Sequence, residues 1–405
     1  MILTQFAHNL NDVNDIYEQL LRAAREKYRL WYRHEPETGA YAPGRVEVLG
    51  NHTDYNEGFV LSAAINYGMS FFASSNGSRR CRLVAGDLMR EVTFPFDDPV
   101  RFTDHSWPNY VMGVAVGLTE AGSLDEGFDA LFFGNVPIGS GLSSSAALEM
   151  SAALALSSLA ESTVDRIDTA KIGQRAEHEY VGAKTGLLDQ ISSLFGREDH
   201  LVRTDFRSLE VDTVPFPGGW VLLVCDTKTK HSLGDSDYNE RREACETAAA
   251  YFASHLDREV KALRDVTTKD LNRLRGGLDE VVARRAAHVI GENERVLEGS
   301  ACLASGDIDR FGALMFASHE SSRSNFENSC PELDFLVDEA AELEAVVGAR
   351  LSGGGFGGSA VMLTKPESVD EVVSSVLPPY RARFGGEFEP RVIRVSAGAS
   401  IVGTA

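Results

Sequence analysis

GNVPIGSGLSSSAALE, residues 134–149, decides how the rest of the chain is read. Gly134, Gly139 and Gly141 surround the hydroxyl run Ser143, Ser144 and Ser145, and an alanine-rich, helix-favouring stretch follows from Ala146 to Ala160. Glycine lets a backbone come close to a ligand. A serine-capped helix start adds unpaired N–H groups and the positive end of a dipole, which attract an anion. The segment therefore reads as a phosphate cradle. It is not the GxxxxGK[ST] loop, because no lysine follows the glycines. The plainer reading is a serine-capped core helix after a glycine turn.

The 405 residues carry 39 Lys and Arg against 60 Asp and Glu, a formal charge of −21. That balance argues against a nucleic-acid or anionic-membrane surface. An acidic protein that binds ATP must focus a few cations and a metal on the polyphosphate. The length predicts two or three domains, and 43% hydrophobic residues is ample for sizeable cores. Five cysteines, at 81, 225, 245, 302 and 330, show no CxxC and no metal-ligand spacing. Reduced structural thiols in the cytoplasm are the reading they favour. The opening MILTQFAHNLNDVNDIYEQ is polar and reads as no secretory leader. No apolar run approaches the roughly 20 residues that span a bilayer. A soluble, cytoplasmic protein is expected, a monomer rather than an obligate oligomer.

Along the chain, residues 11–31 place apolar residues at helical spacing and predict an amphipathic first helix. FVLSAAINYGMSFFASS, CRLVAGD and EVTFPF read as strands, WPNYVMGVAVGLTEAG (107–122) as a helix, and DALFFGNVPIG as a strand running into the phosphate loop. Strands follow in HLVRTDFRSLEVDTVPF and WVLLVCDTKTKH, residues 237–320 are mostly helical, and the tail returns to strands. The pattern predicts an α+β pair of lobes, 1–205 and 206–405.

Three stretches carry a resemblance. PIGSGLSSSAAL resembles the nucleotide loop of the GHMP small-molecule kinases, APGRVEVLGNHTDYNEGFVL (42–61) the galactokinase signature within that family, and LSGGGFGGSAVML (351–363) its third glycine motif. They stand in the family's order and the likeness covers nearly the whole chain. The resemblance implies a ribosomal-protein S5 domain 2-like N-terminal lobe and a ferredoxin-like C-terminal lobe, with the active site between them. It implies transfer of the γ-phosphoryl of Mg·ATP to the anomeric hydroxyl of a galactose-type sugar.

Carried over residue by residue, it places ATP on the loop containing Gly139, Gly141, Ser143, Ser144 and Ser145, with Trp107 and Tyr110 near the adenine. Mg²⁺ falls to Ser145 and Glu177, an oxygen set that suits this ion. Asp189, in TGLLDQ, is implied to sit beside the anomeric hydroxyl, paired with Arg45. There it can accept the proton as general base or orient and polarise the hydroxyl. His52, Asp54, Gly186 and Tyr238 match sugar-contacting positions. Each has a plainer alternative: Glu177 as a solvated helix acid, Arg45 and Asp189 as a structural ion pair, Tyr238 and the aromatics as packing. Lys228 and Lys230 are among the few cations placed to approach phosphates.

One departure stands out. The family usually reads GRVN–GEHTDYN, but this chain has Glu47 where Asn is usual and Asn51 where Glu is usual. The family Glu is implied to accept from the sugar's 6-hydroxyl. The swap is either an exchange of roles between two neighbours, the preferred reading, or an altered C6 selectivity that admits a uronic acid such as galacturonate. N-acetylgalactosamine and a pentose are further alternatives. Of another class is a sugar- and ATP-binding sensor without turnover; such sensors have lost residues from the serine–alanine loop, whereas Ser145 and Ala146 are present here. Ser62 stands where Pro is common. GGGFGG (353–358) also fits GxGxxG, but no βαβ start surrounds it. His178 and His319 complete no zinc motif and read as surface or packing residues.

Overall fold

The computed structural model describes residues 13–403 apart from 105, 138, 184, 231–233 and 387–389. The elements in chain order are α1 (Val13–Tyr32), β1 (Thr38–Leu49), β2 (Phe59–Ser75), β3 (Arg80–Ala85), β4 (Arg90–Pro95), α2 (Trp107–Glu120), β5 (Phe128–Gly134), α3 (Ser144–Leu159), α4 (Arg166–Ala176), α5 (Leu188–Phe195), β6 (His200–Asp205) and β7 (Glu210–Pro215). There follow β8 (Val221–Lys230), α6 (Gly234–His255), α7 (Thr268–Leu274), α8 (Glu280–Ser305), α9 (Ile308–Ser321), α10 (Pro331–Ala341), β9 (Val346–Ser352), β10 (Gly357–Thr364), α11 (Val369–Phe384), β11 (Pro390–Ile393) and β12 (Ser400–Val402). No helix among the described residues is long and apolar enough to cross a membrane.

The first sheet runs β12-β1-β2-β5-β3-β4, with β6 on β2 and β7 on β6. Neighbours are antiparallel except β3 and β5. β2 is long enough to serve two partners: Phe59–Ser62 pair with β6 and Met69–Ser75 with β5. The division expected at 205/206 falls inside the β6–β7 hairpin, since β7 pairs along its length with β6. The chain changes sheet between Pro215 and Val221, and β12 brings its end back to β1. α3 is apolar on nearly every side and correspondingly buried from Ala146 to Ala153. This fixes the loop before it against β1.

The second sheet is antiparallel and runs β11-β8-β10-β9. Counted within the lobe this is the order 4-1-3-2, and α11 makes the second crossover, so the ferredoxin-like expectation holds. Alternation along β8 sends Val221, Leu223 and Cys225 toward α10 and α11, and Leu222 and Val224 the other way. The second set joins Val361, Leu363 and Ile393 in one continuous core with Val46, Val48 and Leu49 of β1. The lobes are welded through this core, and the site lies at its edge.

Candidate active site

Arg45 leaves β1 just after an irregularity in register between Pro43 and Arg45. Its backbone N–H donates to Leu142 O at 3.1 Å, which stitches the strand to the glycine–serine loop. Gly44 makes that approach possible: a Cβ there would stand 2.3 Å from Leu142 O. Arg45 grips Asp189, in the first turn of α5, with two parallel bonds, Nε to Oδ1 at 2.7 Å and Nη2 to Oδ2 at 2.6 Å. Such fork-on-fork pairs fix geometry as well as charge. Nη1 donates to Gly141 O at 2.6 Å, and the Ser143 hydroxyl donates to Asp189 Oδ2. Ser143 is thus not the side-chain cap the sequence suggested: it takes φ +57° and its hydroxyl is spent on Asp189. The loop, the arginine and the aspartate form one hydrogen-bonded unit.

Glu177 follows the last residue of α4 and opens a single widened turn, Glu177–Val181, ending at Gly182. Insertions of this kind cluster at functional sites. Its buried carboxylate accepts from the Thr185 hydroxyl, from Gln190 Nε2 at 3.2 Å and from Ser145. Gln190 Nε2 also donates to Glu149 Oε2 at 2.9 Å. Glu149 is fully buried and its Oε1 has no partner. Burial pushes both carboxyls above the usual range; the charge of Glu177 adds to this at Glu149, and that of Asp189 at Glu177. The Glu177 carboxylate and the Ser145 hydroxyl are hard-oxygen donors whose chemistry fits Mg²⁺. Tyr110, on α2, feels both acids, and burial first, then their charge, pushes its hydroxyl up to about 12. Trp107 packs edge-on against Phe132, with ring centroids 5.5 Å apart.

Next to Arg45 and Asp189 opens a cavity of about 740 Å³, also lined by Asp54, Gly186, Tyr238 and Gly354. Asp54 is carried by the turn after β1. Burial, with the charges of Glu47 and Asp189 behind it, raises its carboxyl to about 6. Gly186 is there because Asp54 is: a Cβ at 186 would lie 2.1 Å from Asp54 Oδ2. The Tyr238 ring stands 5.1 Å from His52 and 5.6 Å from Tyr55, and no described residue bonds its hydroxyl. His52 lines the cavity, but both ring nitrogens are committed. Nε2 donates to Gly354 O at 3.0 Å, so Nδ1 accepts from the Tyr55 hydroxyl at 2.8 Å. Burial lowers its value to about 4, so the ring is neutral. Trp107, Tyr110, Ser144, Ser145 and Glu177 do not line this cavity; they lie toward the loop end. Lys228 is paired with Asp226 at 2.6 Å, and the side chain of Lys230 lies outside the described residues.

Comparison with known proteins bears on the whole of this arrangement. The galactokinase galactose-binding signature matches residues 26–75, the GHMP kinases N terminal domain residues 109–197, and the GHMP kinases C terminal domain residues 300–379. A galactokinase of Mannheimia succiniciproducens is 39% identical over 376 residues, covering 91% of this chain and 96% of its own. That of Actinobacillus succinogenes is 39% identical over 368 residues, covering 89% and 94%. The chain belongs to the galactokinase family of the GHMP kinases. The crystal structure of Lactococcus lactis galactokinase complexed with galactose superposes with a TM-score of 0.88 at 30% identity, covering 94% of this chain and 99% of that one. A mevalonate kinase, at 17% identity and a TM-score of 0.58, shares the fold.

Several residues that build this galactokinase-family site went unread in the sequence. Glu292 of α8 is fully buried and accepts from the backbone N–H of Gly50 (2.9 Å) and Asn51 (3.2 Å), from Ser318 Oγ (2.7 Å) and from Arg295 Nε (2.6 Å). It anchors the sugar-signature turn to the second lobe. The signal was there: Glu292 and Asn293 interrupt the apolar stripe of Val289, Ile290 and Val296. Asn328, Gln190 and Arg350 gave no such sign. Ser62 shares a 2.6 Å hydrogen bond with Ser192 and ties β2 to α5. His319 is buried, its Nε2 donating to Asp334 and its Nδ1 accepting from Leu351 N–H. His178 is exposed and donates to Thr185 O.

Proposed function

We infer that this member of the galactokinase family is an ATP-dependent sugar kinase that moves the γ-phosphoryl of ATP to the anomeric hydroxyl of galactose, giving galactose 1-phosphate and ADP. The single observation that carries the reading is the Arg45–Asp189 pair on the cavity wall, joined through Ser143 and Gly141 to the phosphate loop.

Asp189 has about four acceptor positions, and three are taken by Arg45 and Ser143. The remaining one, on Oδ1, receives the sugar hydroxyl. As the O1–Pγ bond forms, the bond from Pγ to the β-bridging oxygen breaks, ADP leaves, and the hydroxyl proton passes to Asp189. In a loose transition state that transfer is late, and most of the gain comes from holding the two oxygens in line. Arg45 fixes the carboxylate and meets negative charge gathering on the transferred group. The loop around Gly139, Gly141 and Ser144 offers backbone N–H groups to the phosphates, and the α2 aromatics Trp107 and Tyr110 border the nucleotide end. Ser145 and Glu177 would hold Mg²⁺, which when bound spreads charge off the polyphosphate. Asp54, Gly186 and Tyr238 read the sugar hydroxyls.

The test is ADP release across a panel of free sugars, with Asp189→Ala as control. Galactose should be the preferred acceptor, and the variant should lose about 10²–10⁴-fold in kcat. Unchanged turnover in the variant removes the assignment of Asp189.

A further inference from the structure

The cavity wall away from Asp189 contains a second carboxylate, that of Glu47. Arg45 and Glu47 lie in a regular part of β1, opposite Ala64 and Ser62 of β2, so both side chains leave the same face about 7 Å apart. That separation is close to the length of one pyranose. Asn51, beside Glu47, has both N–H donors and one acceptor position taken by protein. Its Nδ2 donates to Glu47 Oε1 at 3.0 Å and to Gly353 O at 2.7 Å, and its Oδ1 accepts from Asn328 Nδ2 at 2.8 Å. Both partners of Nδ2 are acceptors only, so the amide is held one way round. Glu47 is the opposite case. Oε1 takes Asn51 and, at 3.0 Å, Nη1 of the fully buried Arg350, while Oε2 bonds no described residue and the side chain lines the cavity.

We propose that Glu47 is the specificity-determining residue at the far end of the sugar: its Oε2 accepts the hydrogen bond of the exocyclic 6-hydroxyl, with Asn51 and Arg350 holding the carboxylate in place. This rests on the sugar-kinase reading, and on it the position of the substrate: with the anomeric hydroxyl at Asp189, the group that reaches furthest along β1 is the exocyclic CH₂OH. The Glu/Asn swap is then an exchange of roles. Asn51 has become the brace, and Glu47 the contact. A sugar lacking that hydroxyl leaves a charged acceptor unpaired, which selects strongly against it.

The experiment measures binding of galactose and 6-deoxygalactose by calorimetry, separately from turnover, in the wild type, Glu47→Gln and the reciprocal Glu47→Asn/Asn51→Glu variant. Wild type should favour galactose by about tenfold or more. Glu47→Gln should shrink that ratio severalfold while KM for ATP stays put, a pattern that general loosening of the site would not produce. The reciprocal variant, which keeps one carboxylate and one amide in the pair, should restore it and stands in should Glu47→Gln fail to fold. An equal ratio in wild type and Glu47→Gln, a reciprocal variant that folds but does not restore the ratio, or no discrimination by wild type, overturns the proposal. Binding with that discrimination but no ADP release under any condition supports Glu47 and sinks the kinase reading instead.

Discussion

At the scale of single residues, Asp54 shows how burial sets a working range. Its carboxyl, raised to about 6 from an ordinary 3.8, keeps its proton longer in the folded protein than in the unfolded chain. Its contribution to stability is therefore full below 3.8 and is lost as pH rises through about 6. Sugar binding has the opposite sign, because only the ionised form can accept from two hydroxyls. The expected pH profile of kcat/KM for galactose climbs through about pH 6, and Asp54→Asn flattens that limb as well as weakening binding; the same limb in the variant would clear Asp54. Gly186 answers to the same carboxylate. A methyl placed 2.1 Å from Asp54 Oδ2 must displace it, so Gly186→Ala should raise KM for the sugar about 5- to 150-fold, the range that overpacking costs of about 1–3 kcal/mol imply. Initial-rate kinetics with each substrate varied in turn reads this, with KM for ATP expected to move little.

Among the elements, α8 does more than pack. Its apolar face closes the helical layer through Ala286, Val289 and Ile290, and its one internal acid holds the turn that presents Asn51, His52 and Asp54. Arg295 holds Glu292 well below the usual carboxylate range against the cost of burial. Removing one partner of such a pair strands the other. Glu292→Ala is expected to cost about 3–5 kcal/mol, read as a drop in urea midpoint, together with a higher sugar KM. Destabilisation without any effect on KM would mean that the turn does not depend on α8. The widened turn at Glu177–Val181 is the counterpart at the glycine–serine loop, since it sets Glu177 beside Ser145 just after α4 ends.

For the molecule as a whole, the shared core sets the mode of unfolding. Leu222, Val224, Val361 and Leu363 of the second sheet are packed with Val46, Val48 and Leu49 of the first. The second lobe keeps a core of its own under α10 and α11, but the other face of its sheet is buried only against the first lobe. Leu363→Ala should therefore lower stability by about 2–5 kcal/mol, and both lobes should melt in a single transition with or without the substitution. Coincident far- and near-ultraviolet dichroism curves check this; two separated transitions would show that the lobes are independent.

How much of this could be read in advance depends on distance along the chain. The glycine–serine loop, the first helix, the strands flanking GGGFGG and the pairing of Arg45 with Asp189 follow from local spacing or from motifs that recur as short strings. The two-lobed fold was legible for the same reason, since each lobe announces itself through such strings and through alternating periodicity. The division at 205 was not, because a hairpin partner is a matter of pairing and not of composition. The chain by itself thus determined the glycine–serine loop, the family and, through the family's motifs, the pairing of Arg45 with Asp189. Only the tertiary structure decided that Ser143 serves Asp189, that His52 is a brace, and that the carboxylate oxygen left open on the cavity wall belongs to Glu47. Those assignments turn on which hydrogen-bonding groups are already satisfied by residues 46 to 303 positions away, and satisfaction of a polar group is a property of the packed molecule.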